Sequence, residues 1–156
     1  AETVRRVDAL GRREDGRRPG DFTFTYELVR VLMANRSQAP AVEVHGLGRA
    51  AAVLVTNGDP YTYAGALALH LTPEAKFELG LDVVAPVRVS PGLLLRLARM
   101  VVRRSVPSGS ILYGHDLDRL EVTCDRPLPL QADGEDLGDV QRAVFEAERE
   151  AVTVLV

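Results

Sequence analysis

Two short stretches hold the residue types from which chemistry could be built. The first is Leu128-Pro129-Leu130-Gln131-Ala132-Asp133-Gly134-Glu135, in which alternating residues run into an Asp-Gly pair and a carboxylate follows at once. Asp-Gly between alternating apolar residues is the strongest local signal for a two-residue hairpin, because both turn positions need positive φ. Glu135 is then either only the residue after a turn or a rigidly held proton acceptor at the mouth of a cleft, and the sequence leaves both readings open. The second stretch is Asn57-Gly58-Asp59-Pro60-Tyr61-Thr62-Tyr63-Ala64-Gly65, a polar and aromatic loop behind an apolar run. If the two strand ends are neighbours, they enclose one cleft with a carboxylate, an amide and two tyrosines.

Other chemistries find no support. His45, His70 and His115 lie far apart with no metal-ligand spacing, and each reads as a surface or hydrogen-bonded strand residue. There is no Gly-x-Ser-x-Gly elbow and no phosphate-binding loop of the Walker type; Gly46-Leu47-Gly48 is only a turn. Cys124, the single cysteine, shares a strand face with Leu120 and Val122 and reads as a small core residue. A disulfide framework and a cysteine-based zinc site are therefore excluded.

Length and composition fit one globular domain: 156 residues, 46% hydrophobic and 26% charged. A net charge of −3 argues against a general nucleic-acid binder, which would usually be basic. No apolar run approaches the roughly 18 residues of a membrane span.

The elements that must position the two stretches are mostly strands. Val4, Val7 and Leu10 open in a helical period, and the arginine- and glycine-rich residues 11–20 read as a solvated loop. Asp21 caps a second helix with Phe22, Tyr26, Val29 and Met33 as its stripe. From Val42 the period becomes two. Strands are predicted at 42–45, at 51–56 (buried on both faces), at 67–71 and at 81–87, with a loop at 72–80. Ser90 and Pro91 start a third helix, whose apolar side holds Leu93, Leu97, Met100 and Val101. Its opposite side, with Arg96, Arg99 and Arg103, is either a solvated face or a surface for anionic lipid. Strands return at 120–125, and Pro127 and Pro129 place the next one at or beside an edge. Residues 142–147 and 151–156 are read as two closing strands. The fold expected is mainly β with α: a distorted antiparallel β-sandwich or barrel with about three helices.

The order of these features resembles the diacylglycerol kinase catalytic family, which includes bacterial lipid kinases and sphingosine kinases. The residues that carry the resemblance are Asn57-Gly58 with Tyr61, the strand start Gly80-Leu81-Asp82-Val83, His115 and the final Leu130-Gln131-Ala132-Asp133-Gly134-Glu135. Ala1-Glu2-Thr3-Val4 also looks like the segment that follows a strand end in those proteins. The resemblance covers most of residues 1–156, but only the second, C-terminal domain of the family. Its Gly-Gly-Asp-Gly-Thr nucleotide motif does not occur here, so the ATP-binding domain is expected outside this chain. The resemblance implies that Glu135 is the general base toward a lipid hydroxyl, and that Asp133 fixes the turn and contacts the transferring phosphate through metal. It makes Asn57, Gly58, Tyr61 and Tyr63 substrate-binding residues. Leu79 stands where many members place the aspartate of a structural magnesium site, with Glu78 one position early, so no metal ligand is assigned.

On this basis the expected activity is phosphoryl transfer from ATP to a diacylglycerol-like or sphingoid alcohol, with Mg²⁺ and ATP as cofactors of the full-length enzyme and none held by this chain alone. The expected partners are a lipid at the membrane surface and the nucleotide-binding domain of the same protein. Nucleic acid is not among them, and a homodimer is allowed. The expected location is cytoplasmic, peripheral to the membrane. The alternative from another class is a non-catalytic lipid- or protein-binding β-sandwich module, in which Asp133-Gly134-Glu135 is a hairpin and nothing more.

Overall fold

A computed structural model describes residues 40–64, 67–90, 92–93, 95–96, 105, 109–133, 135–149 and 151. The fold is mainly antiparallel β. Among the described residues nine strands follow in chain order: β1 (Val42–Val44), β2 (Gly48–Ala50), β3 (Leu54–Thr56), β4 (Thr62–Ala64), β5 (Leu67–Leu69), β6 (Leu81–Pro86), β7 (Ile111–Leu117), β8 (Arg119–Ala132) and β9 (Glu135–Glu146). They form a four-stranded sheet in the order β2-β1-β8-β9, a three-stranded sheet β3-β6-β7 and the small ribbon β4-β5.

The two larger sheets share one core. Val42, Val44 and Ala50 come from β1 and β2, Leu120 and Val122 from β8, and Val83 and Ala85 from β6. Each of these strands therefore turns alternate residues toward the other sheet, which is sandwich packing. The outer face of the four-stranded sheet is a polar ladder. Glu43 lies opposite Arg49, Arg49 pairs with Asp125, and Arg142 donates to Glu121 at 2.8 Å. Among the described residues the sheets are open, so of the two forms anticipated the arrangement is sandwich-like and not a closed barrel.

The outer face of the three-stranded sheet is different. Val84, Leu93, Ile111 and Tyr113 form a second, smaller cluster there. Leu93 reaches it from a helical turn at 92–93 and 95–96 that begins at Ser90, whose carbonyl accepts the Leu93 N–H at 2.9 Å. The start of the third predicted helix is therefore in place. The rest of that helix, and the two helices predicted before residue 40, lie outside the described residues.

The longest element is the β8–β9 hairpin. Ala132 pairs with Glu135 around Asp133, which has φ 48°, the left-handed conformation the Asp-Gly signal requires. Pairing is lost between Thr123 and Leu128, so Pro127 falls where no ladder hydrogen bond is needed. A second irregularity places the exposed Leu137 outside the register, with Gly138 at φ 87° as the bulge residue.

Several expectations are corrected. The run 51–56 is not buried on both faces: Ala52 is exposed, the remainder only half-buried, and the strand proper is Leu54–Thr56. The strand enclosed on both faces is instead β6, with Asp82 to Ala85 all buried, because it is the central strand of its sheet. Thr62–Ala64 is a strand paired with Leu67–Leu69, not part of a continuous loop. β7 was not anticipated, since its Gly114, His115 and Asp116 break the apolar alternation. Residues 142–146 are the second half of one strand that starts at Glu135. Ala151 is not in a strand, and residues 152–156 lie outside the described part.

Candidate functional site

The residues singled out in the sequence are spread over three sheets: the end of β3, the β4-β5 ribbon and the β8–β9 hairpin. Asn57 is exposed and Gly58 half-buried at the end of β3, where the Gly58 N–H donates to Thr56 Oγ1 at 3.3 Å. A side chain at Gly58 would meet the Phe77 ring, with Cε1 only 3.1 Å from an added Cβ. Tyr61 is 41% exposed, and burial of the remainder pushes its hydroxyl pKa up. Tyr63 lies within β4. Asp133 and Glu135 are exposed at the tip of the β8–β9 hairpin, Glu135 as the first residue of β9. Among the described residues, no hydrogen bond or ion pair joins the two groups.

The sequence reading missed the most organised polar cluster, which lies at the Asn57 end of the three-stranded sheet. Thr56 pairs in register with Asp82, so both side chains share a face. Tyr113 pairs with Val84, which puts Tyr113 and His115 on that same outer face. Asp82 is fully buried and takes three donors. Tyr113 Oη–H donates at 2.8 Å, His115 Nδ1 lies 2.9 Å from Oδ1 and 3.0 Å from Oδ2, and the Asp116 backbone N–H donates at 3.3 Å. An acceptor saturated by donors is satisfied as a carboxylate, which is how a fully buried Asp is tolerated. Burial first, and then the Asp82 carboxylate, push the Tyr113 hydroxyl pKa well above its usual range. The Tyr113 and His115 rings stack with centroids 6.5 Å apart.

Asp116 holds the strand end in place. It sits at φ 56°, uncommon for a non-glycine residue, and its Oδ1 accepts the Gly80 N–H at 2.7 Å and Arg149 Nη2 at 2.8 Å. These bonds hold the Asp116 carboxyl below the usual carboxylate range, the Gly80 N–H contributing most. Arg149 also donates to Asp118 at 2.8 Å, where the chain crosses from one sheet to the other. Nearby, Asp59 and His70 form a second carboxylate–imidazole pair at 2.6 Å, both largely buried.

His115 and His45 are strand or surface residues with hydrogen-bond partners, as anticipated; His45 reaches Thr123 Oγ1 at 3.2 Å. Cys124 packs against the shared core, and burial pushes its thiol pKa up. Among the described residues, no three His, Cys, Asp or Glu side chains gather as a metal centre, and no helix is long and apolar enough to cross a membrane. One signal could have disclosed the cluster from sequence: Asp82 is the one charged residue within Leu81–Val87. A buried carboxylate needs donors close by. No family model, curated protein or solved structure matches the chain.

Proposed function

We propose that this chain is the second domain of an ATP-dependent lipid kinase, which phosphorylates the hydroxyl of a diacylglycerol-like or sphingoid lipid when joined to a nucleotide-binding domain. One observation carries the reading: the hairpin offers Glu135 exposed at the first position of β9, directly behind the left-handed Asp133. A two-residue turn between long paired strands fixes such a carboxylate better than a free loop does. On this reading Glu135 accepts the proton of the lipid hydroxyl as that oxygen attacks the γ-phosphoryl group of ATP and ADP leaves. Phosphoryl transfer is mostly positioning and charge stabilisation, and a placed base contributes about 10²–10⁴-fold. Nucleotide and Mg²⁺ are supplied with the other domain. Asn57, Gly58, Tyr61 and Tyr63 serve the lipid at a membrane surface, on the cytoplasmic side.

The second reading, a non-catalytic β-sandwich module, is favoured by the same turn. Asp133 at φ 48° and the Ala132–Glu135 pair are accounted for by hairpin geometry alone. Glu135→Gln in the two-domain protein separates the two. A base requires lipid-phosphate formation to fall by about 10²-fold or more, at unchanged circular dichroism. Full activity in the variant would leave the hairpin as a turn.

A further inference from the structure

We propose that the C-terminal half of β9 is a self-association edge, where Arg142–Glu146 pairs antiparallel with the same segment of a second copy about a two-fold axis at Val144. The proposal goes beyond the kinase reading and does not rest on it, since it uses neither Glu135 nor the Asn57 end of the three-stranded sheet.

The open edge follows from the hydrogen bonding of β8. His45 N–H donates to the Glu121 carbonyl and Asp125 N–H to the Ala41 carbonyl, each at 3.0 Å. Glu121, Thr123 and Asp125 therefore turn their backbone groups toward β1. Leu120 and Val122 serve Phe145 and Ala143 on the other side, and Ala147 N–H continues that ladder to the Asp118 carbonyl at 2.8 Å. The backbone N–H and C=O groups of Arg142, Val144 and Glu146 consequently face away from β8. Among the described residues β9 is the last strand of its sheet, and no strand pairs with those groups. An open row of this kind is a template for a further strand. The tip half of β9 is guarded by the bulge at Gly138 and by Glu135, Asp136 and Asp139, whose shared sign opposes pairing with a copy. Arg142–Glu146 holds no glycine, proline or bulge.

The order of side chains selects a second copy as the occupant. With the axis at Val144, Arg142 lies opposite Glu146 of the second copy, and Glu146 opposite Arg142 of the second copy. An axis at Arg142 or Glu146 sets like charges face to face, and one at Ala143 or Phe145 brings no opposite charges together within the segment. All three side chains stand on the exposed face of the sheet: Arg142 is 60% exposed, Glu146 65% and Val144 38%. Arg142 already pairs with Glu121, and Glu146 with Arg119. The seam thus extends existing ion pairs into a row of alternating sign, from Arg119 and Glu146 to Arg142 and Glu121 of the second copy, on either side of an apolar Val144 contact. On the inner face Phe145, at the margin of the shared core, comes opposite Ala143 of the second copy, so the apolar layer continues as well. Pairing joins two four-stranded sheets into one of eight strands.

The test is sedimentation equilibrium of the 156-residue chain over a concentration series. The seam is short, at the small end of specific interfaces, so a monomer–dimer equilibrium is expected at about 10–100 µM. Arg142→Glu and Glu146→Arg each turn both cross-seam pairs into like charges. Each should weaken dimerisation about tenfold or more, at unchanged circular dichroism. Mixed in equal amounts, the two variants again set opposite charges across both pairs. The mixed dimer should then form at least about threefold more tightly than either variant does with itself. The contacts of each variant with its own Glu121 or Arg119 stay unfavourable in the mixture, so only the seam can produce that recovery. An unaltered chain that stays monomeric up to about 500 µM, single variants that dimerise as tightly as the unaltered chain, or a mixture no tighter than its components would each overturn the proposal.

Discussion

Removing the acceptor at the centre of the Asp82 cluster should destabilise the domain more than any surface change. Asp82→Ala leaves the Tyr113 hydroxyl, His115 Nδ1 and the Asp116 N–H without their common acceptor. Each unsatisfied buried donor costs about 1–3 kcal/mol. Tyr113 and His115 are half-exposed and can regain water, which puts them at the low end; the Asp116 N–H and the emptied volume add the rest. The sum is about 3–5 kcal/mol, the range found when one partner of a buried charge pair is deleted. Against a typical total of about 5–15 kcal/mol this is a large fraction. With a urea m value near 2 kcal/mol/M, the midpoint should fall by about 2 M. Asp82→Asn keeps the volume and one acceptor oxygen, so it should lose less, about 1–3 kcal/mol. Paired with Tyr113→Phe it should show a coupling of at least about 0.5 kcal/mol. A loss below about 1 kcal/mol in Asp82→Ala, with additive double variants, would refute the view that the cluster holds this end of the sheet together.

Three further outcomes are expected. Gly80→Ala places a Cβ 2.5 Å from the Leu117 carbonyl oxygen, a backbone atom that cannot swing aside, and should cost about 1–3 kcal/mol by urea unfolding. Asp116 and Glu121 both have folded pKa values below their ordinary ones, so the unfolded chain binds protons more readily than the folded one. Their stabilisation is present above the ordinary carboxylate range, near 4, and is lost as pH falls through the lower folded values; melting temperature against pH should show the decline, and Asp116→Asn should reduce it. The raised pKa of Tyr113 has the opposite sense, with stability present below the ordinary tyrosine value and lost as pH rises beyond about 10. In an alkaline titration at 295 nm, the absorbance step missing from Tyr113→Phe should be the one that coincides with unfolding.

The parts of the fold legible in the sequence were those with local causes. The Asp-Gly turn needs only its own two residues to set the chain direction, and Asp133 takes the left-handed conformation the signal demands. A helical turn follows Ser90 for equally local reasons. Burial was less legible because it depends on neighbours distant in sequence. The apolar run at 51–56 reads like a central strand, yet β6 takes the centre and leaves it half-buried at the edge. β7 was hidden because its Tyr113 and His115 serve one partner, Asp82, more than thirty residues away, and their spacing has meaning only after pairing. Glu135 was legible as a carboxylate after a turn; its chemistry depends on what approaches it.

The most direct measurement is therefore transfer itself. On the proposed reading this chain acts joined to a nucleotide-binding domain; such a two-domain protein is given γ-³²P-labelled ATP, Mg²⁺ and lipid alcohols in vesicles, and the organic phase is counted. A lipid kinase yields labelled lipid phosphate that depends on the alcohol and is lost in Glu135→Gln. Label confined to the aqueous phase with every alcohol tested, from a protein that binds ATP and is folded, would contradict the kinase reading and leave the domain as a binding module.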